Sequence, residues 1–237
     1  MEQNKTGKYF KYAIGEIILV MVGILLALQV NNWNDRRIKK IDKSMMLNSL
    51  VIEFEANLNQ IKKVMRMHNL VEKSCLSALE LINEGINEID EDSLIKIDKG
   101  IGVNWTFDPI NGALRSSISS GNIHLINNKK LSTLLFEWED LVGDLVEDEL
   151  NQRLFVSSKR EIMRQYVPQR IQIAEIYDDV ETTNFPTDYK GLYKDLDFEN
   201  FLSQRINGIR NVLKESSTVK KRNVEIIEEL NNELENY

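Results

Sequence analysis

One uninterrupted apolar run constrains this chain more than any other feature. It spans Ala13 to Val30 (AIGEIILVMVGILLALQV), and only Glu16 and Gln29 within it are strongly polar. At a helical rise of about 1.5 Å per residue the run is roughly 27 Å long, close to the hydrocarbon thickness of a bilayer. A core helix in a soluble domain keeps a polar stripe, and Ile17 to Leu28 has none. The flanks fit the same reading. Tyr9, Phe10 and Tyr12 on one side and Trp33 on the other suit the two interfacial belts, and Lys5, Lys8 and Lys11 can snorkel. Asn31, Asn32 and Asn34 then end the run. The expectation is a transmembrane helix over residues 12–33 behind a short basic tail, residues 1–11, with residues 34–237 as a helical body.

Within that anchor Glu16 falls on the first turn, near the headgroups, where a carboxylate is tolerated at an interface or in a helix contact. Gly23 and Ala27 form a small-xxx-small pair that lets two helices approach closely. A cleaved signal peptide fits less well. The apolar run exceeds the usual signal core of about 7–15 residues, and the partners that Ala27 would need at a cleavage site, Leu25 and Val30, are bulky.

The segment KYFKYAIGEIILVMVGILLALQVNNWND, Lys8 to Asp35, resembles the N-terminal signature of an uncharacterised bacterial family, a domain of unknown function. A second stretch, SSISSGNIHLINNKKLSTLL from Ser116 to Leu135, resembles a mid-chain segment of the same family. The resemblance implies one N-terminal membrane helix and a helical remainder, and hence a bacterial inner-membrane location. It supplies no activity, substrate or catalytic residue.

Composition narrows the rest. Thirty Lys and Arg against 37 Asp and Glu leave a net charge of −7, which is a poor basis for nonspecific nucleic-acid binding. Three prolines and 11 glycines favour long helices over many short strands. The single cysteine, Cys75, excludes an internal disulfide framework and any multi-cysteine metal site.

Past the anchor, Arg36, Arg37, Lys39, Lys40 and Lys43 form a basic juxtamembrane cluster able to meet anionic headgroups or to stand as a solvated helix face. Counting lysines and arginines on the two sides of the span slightly favours a cytoplasmic body. A single N-terminal anchor with a basic tail and a long following body is nevertheless the usual pattern for an extracytoplasmic body, which is the orientation expected here.

From Leu47 to Ile82, steps of four and three land on apolar residues at nine of eleven positions, His68 and Glu72 being the exceptions. That repeat predicts a bundle or coiled-coil seam. Three long helices are expected, over about 38–83, 128–167 and 197–233, in an elongated, mostly antiparallel all-α bundle. Residues 84–127 and 168–196 read as connectors. In the first of these, Asp108–Pro109 suits the start of a short helix ending at Ser119 with Gly121 as its C′ residue, and Trp105 and Phe107 are expected to plug the end of the bundle. Arg205 and Asn223, polar residues on the third seam, are expected to set register.

Motifs for chemistry are scarce. Neither His68 nor His124 has a carboxylate or cysteine partner at metal-ligand spacing, and the sequence holds no HExxH, P-loop, GxSxG or GxGxxG pattern. No catalytic residue, cofactor or metal is predicted. His68 and Cys75 read as core residues. The acidic run Glu137 to Glu149 reads as a solvated face, because a ferritin-like site would need Glu-x-x-His pairs and the chain has none. One connector constellation stands as a candidate site: Arg115, Ser116, Gly121 and His124. The leading expectation is a single-pass membrane protein with a non-catalytic binding, sensing or scaffold body. Its expected partners are the lipid bilayer and either further copies of itself or another membrane protein, with no nucleic acid. The alternatives are an enzyme with a site in the 105–125 connector, or a cytoplasm-facing scaffold of opposite topology.

Overall fold

A computed structural model describes residues 5–235, with side chains placed at Phe10 and from Ile14 onward. The anchor's flanking Lys5, Lys8, Tyr9, Lys11 and Tyr12 lie outside the described side chains, and residues 1–4 of the basic tail outside the described residues. Every regular element among the described residues is helical.

The chain is built on α1, one continuous helix from Lys5 to Glu84, 80 residues and about 120 Å long. The sequence reading separates an anchor from a first bundle helix, and the structure joins them without a break. Nothing in Asn31–Lys43 compels a stop, since proline and glycine are both absent there. The two halves of α1 differ in what covers them. From Ile14 to Gln29 every residue is exposed, whereas from Lys43 onward one face is buried. Leu47, Leu50, Phe54, Ile61, Val71 and Cys75 on that face are fully buried.

Their main partner is α9, Leu196–Glu235, which runs antiparallel to α1: Glu72 pairs with Arg210 and Lys43 with Glu233. Between these two rods the chain descends and climbs again. Gly85 turns it with φ +94°, a left-handed conformation that glycine adopts without strain. Helix α2, Glu91–Ile101, then packs back along α1. The sequence reading misses α2 because IDEDS looks like a terminus. It is instead a start, with Asp90 accepting from the Ser93 amide at 2.9 Å as an N-cap. Gly100 permits the close approach, since a Cβ there would sit 3.0 Å from the Ser74 Cβ.

An extended strap, residues 103–111, follows, then α3, Gly112–Ser119, and a 3-10 turn, Asn122–Leu125. Gly121 closes α3 at φ +75° as the expected C′ glycine. The start of α3 needs correction. It begins three residues later than Asp108–Pro109 implies, because Asn57 on α1 holds both the N–H and the C=O of Ile110 at 2.8 Å. Trp105 is also corrected. It is exposed beneath the Lys63 ammonium, 4.9 Å from the ring centre, and only Phe107 enters the core.

The ascending limb, expected as one helix over 128–167, is three: α4 Lys129–Phe136, α5 Trp138–Ser157 and α6 Lys159–Met163. The bend at Glu137 coincides with the burial of Trp138, which wedges edge-on against Phe54 (5.0 Å) and Phe107 (6.4 Å). At the second break the Ser157 and Ser158 hydroxyls donate to the Leu154 and Phe155 carbonyls and compete with the helical ladder. Two short helices, α7 Gln169–Ala174 and α8 Tyr189–Leu192, close the distal end before α9 returns. Helix α9 is also antiparallel to α5, through Arg222 to Glu137 at one end and Arg205 to Gln152 at the other.

Two apolar clusters fill the body. One surrounds Trp138 and Phe54, and the other surrounds Phe198, Tyr193 and Cys75. Burial holds the Cys75 thiol up at about 12, against 9.0 for a free thiol. Between those values only the unfolded chain ionises at Cys75, so folding stability falls as pH rises through that window. In denaturant titrations from pH 8 to 11, stability is expected to decline from about pH 9. Cys75→Ala should delay the onset toward pH 10, where Tyr189, raised to about 12 from 10.0, begins to contribute. Trp138→Ala should lower stability by about 3–5 kcal/mol, read as a shifted midpoint at unchanged slope.

Candidate functional site

The body's most distinctive chemistry is a ladder of buried polar side chains that hold the segment from Asp98 to Leu114. A strap without regular structure leaves its backbone groups in need of partners, and burying them unpaired is costly. Each of the surrounding long helices supplies such partners. From α1, the Glu53 carboxylate accepts from the Ala113 and Leu114 amides at 2.6 and 2.9 Å, capping α3 across the fold. From α5, Glu149 accepts from the Phe107 amide at 2.7 Å and from His68 Nε2 at 3.0 Å. From α9, Arg205 donates to the Val103 carbonyl at 2.9 Å, to Asn104 Oδ1 at 3.2 Å and to Gln152 Oε1 at 3.0 Å. At the top the buried Lys159 ammonium lies 2.6 Å from the Asp98 carboxylate and donates to the Asp98 carbonyl at 3.1 Å.

Arg205 is 1% exposed, and all four of its acceptors, Gln152 giving its main-chain carbonyl as well, are neutral. Burial accordingly lowers it to about 10, from 12.5, as desolvation disfavours the cation. Arg205, expected to set register, forms a fork that grips the strap and Gln152. Asn223, the other expected register residue, is fully buried, and among the described residues its side-chain amide has no hydrogen-bond partner.

The upper end of the ladder opens into a cleft of about 470 Å³ between α2, α5, α6 and α7. Asp98 and Lys159 lie along it, Met163 and Tyr189 give apolar wall, and a Lys99–Glu175 pair at 2.9 Å spans its edge. The cleft is open and shallow in chemistry. Its buried charge pair is Asp98 with Lys159, whose ammonium donates to the Asp98 main-chain carbonyl.

The sequence-level candidates distribute differently. Arg115 and Ser116 are exposed on α3, Gly121 forms its C′ turn, and His124 is exposed on the 3-10 turn. Arg115 pairs with Glu139 on α5, at 2.8 Å on the surface. Among the described residues no ion pair joins His124 to an acid. Arg115, Ser116 and His124 thus lie at the surface of the body. The acidic run needs one correction: Asp140, Asp144 and Glu147 are exposed as expected, but Glu149 is buried in the ladder. No group of three or more metal-capable side chains occurs among the described residues. Sequence reasoning missed Glu53, Asn57 and Glu149 as a set. Their positions on the bundle-facing side of α1 and α5, at helical spacing, were the available signal.

In the anchor, Glu16, Gly23, Ala27, Gln29 and Trp33 are all exposed, on a helix long and apolar enough to cross a membrane and with none of its apolar window buried. The Arg37 guanidinium sits 6.0 Å from the Trp33 ring centre. A model described as a family of unknown function, DUF6090, matches residues 16–141. The chain belongs to this family. The DUF6090 match begins at Glu16 and so takes in the apolar stretch, the strap and the first turn of α5, but not α9. No match to the chain is found among curated proteins or among solved structures.

The ladder makes a direct prediction. Glu149→Ala strips the acceptor from a buried backbone amide and from His68 and should cost about 3–5 kcal/mol. Glu149→Gln, which keeps one acceptor, should cost clearly less. Urea midpoints of the two variants side by side check this.

Proposed function

We propose that this DUF6090 protein is a single-pass membrane protein whose helical body acts as a non-catalytic binding, sensing or scaffold module. The observation that carries the reading is α1 itself. Its apolar half, exposed on every side, runs without interruption into the half that forms the body's spine. Hydrocarbon is the solvent in which such a surface is stable, and a helix satisfies its own backbone there.

The finer reading follows from placement. The body is an elongated, mostly antiparallel bundle that stands on the bilayer. Lys43 pairs with Glu233 about ten residues beyond Trp33, roughly 15 Å along the helix. The location is the bacterial inner membrane with the body extracytoplasmic. Arg36, Arg37, Lys39 and Lys40 then lie where anionic headgroups meet water. Because anchor and body share one helix, a tilt or rotation of the bundle is passed into the membrane without a flexible joint. The buried polar network serves to fix the strap, and its side chains are occupied by one another and by backbone.

The test is fractionation with topology. The full chain should stay in the membrane pellet after an alkaline carbonate wash and leave it only with detergent. Alkaline phosphatase fused after Tyr237 should be active and a green fluorescent reporter there dark. Release by carbonate would end the anchor reading, and the reverse reporter pattern would put the body in the cytoplasm.

A further inference from the structure

We propose that two copies of this chain pair in parallel through the face of α1 that points away from the bundle, forming a coiled coil that begins inside the membrane and continues into the body. This deepens the anchor reading and rests on it. A heptad runs along this face. Ile17, Ile24, Asn31, Ile38, Met45 and Ile52 recur every seven residues, and all six are exposed. Val20, Ala27 and Ile41 occupy the intervening seam positions, also exposed, with Asn34 and Asn48 completing the set. Between Ile17 and Leu28 every position is apolar and the repeat adds nothing, so the seam is read past it, where Ile38, Ile41, Met45 and Ile52 keep the period over two heptads and Asn31, Asn34 and Asn48 are its polar positions. Branched isoleucine at four of the six first positions favours two strands in parallel, and a single asparagine there, Asn31, is the residue type that sets register and strand number.

The fold leaves this face free and needs the opposite one. Lys43, Met46, Leu47, Leu50 and Phe54, buried in the body, fall on the outer positions of the same heptad. Two copies can therefore join back to back with their bundles on the outside. Outside the apolar window, Ile38, Ile41, Met45 and Ile52 are 45–69% exposed on α1. Hydrocarbon does not account for Ile52, which lies level with the buried Glu53 and Phe54 of the body. A continuous seam does. Beyond Ile52 the seam positions become Glu55, Asn59 and Lys62, where the two helices are free to part.

What selects a second copy over another partner is self-complementary charge. In a parallel pair the residue just before a first position faces the partner residue five places further on, across the seam. Here that places Arg37 of one copy against Asp42 of the other, twice by symmetry. The two flank the seam on opposite sides, so within one chain they sit apart. A shared anchor enforces the alignment, because two copies crossing the same bilayer in the same direction have equal residues at equal depth.

The experiment uses the full chain in vesicles, with cysteines introduced singly and oxidised with copper phenanthroline. Native Cys75 is buried and stays silent. Ile38→Cys, Ile41→Cys, Met45→Cys and Ile52→Cys should give strong disulfide-linked product at twice the 27.5 kDa chain mass, and Arg36→Cys and Lys39→Cys little. Arg37→Asp or Asp42→Arg should each lower the Ile41→Cys yield about two- to five-fold, and the two together should restore it. Equal yields at all positions, a product of another mass, or no rescue by the charge exchange would overturn the parallel self-pairing. Flotation of the same vesicles separates the two readings. Protein that floats but shows no seam period sinks the dimer and leaves the anchor standing. Protein that fails to float sinks the anchor and, with it, the alignment the dimer requires.

Discussion

Everything in this fold depends on the apolar contact between the second half of α1 and α9. Leu47, Leu50, Phe54, Ile61 and Val64 on one rod meet Val212, Val219, Ile226 and Leu230 on the other in a single cluster. Neither helix could hold so long an apolar stripe in water alone, since most helical stability in proteins comes from packing such a face. The remaining elements fill around that pair. Helices α4 and α5 close the groove near the base with Trp138, and α2, α8 and the first turns of α9 close it at the distal end around Phe198 and Tyr193.

The polar ladder solves a problem that this packing creates. The chain must return from the top of α1 to the base before it can climb again, and part of that return is made without secondary structure. Along it Glu53, Asn57, Glu149 and Arg205 supply partners for the backbone. Such charges add little net stability compared with well-packed apolar residues, because their desolvation offsets much of the attraction. They do select one path, since any displacement of the strap strands several buried charged or polar groups at once. Three helices that would otherwise slide past each other are thereby keyed to one segment.

Much of this was legible from residue order, for identifiable reasons. The Leu47–Ile82 seam and the α9 seam announce themselves because helical periodicity is local, and Gly121 reads as a C′ residue because only backbone conformation is at stake. The failures share a cause. Helix α2 was hidden by an acidic cluster that serves equally as an end or a start. The α3 boundary depends on Asn57, far away in sequence. The ascending limb carries a helical pattern throughout, and its break at Glu137 coincides with the space that Trp138 fills between Phe54 and Phe107. Glu149 looked like part of a solvated acidic face, and its burial follows from lying on the same side of α5 as Val142 and Leu145.

The amino-acid order alone determined the all-helical class, the exposed apolar helix and the faces that must be covered, because each is a matter of spacing along one helix. Only the tertiary structure decided that anchor and spine are a single helix, that the strap is gripped by buried charges, and that Arg115 and His124 stand exposed. Those outcomes turn on which distant groups share a low-dielectric interior, and pairwise desolvation of that kind leaves no trace in local periodicity.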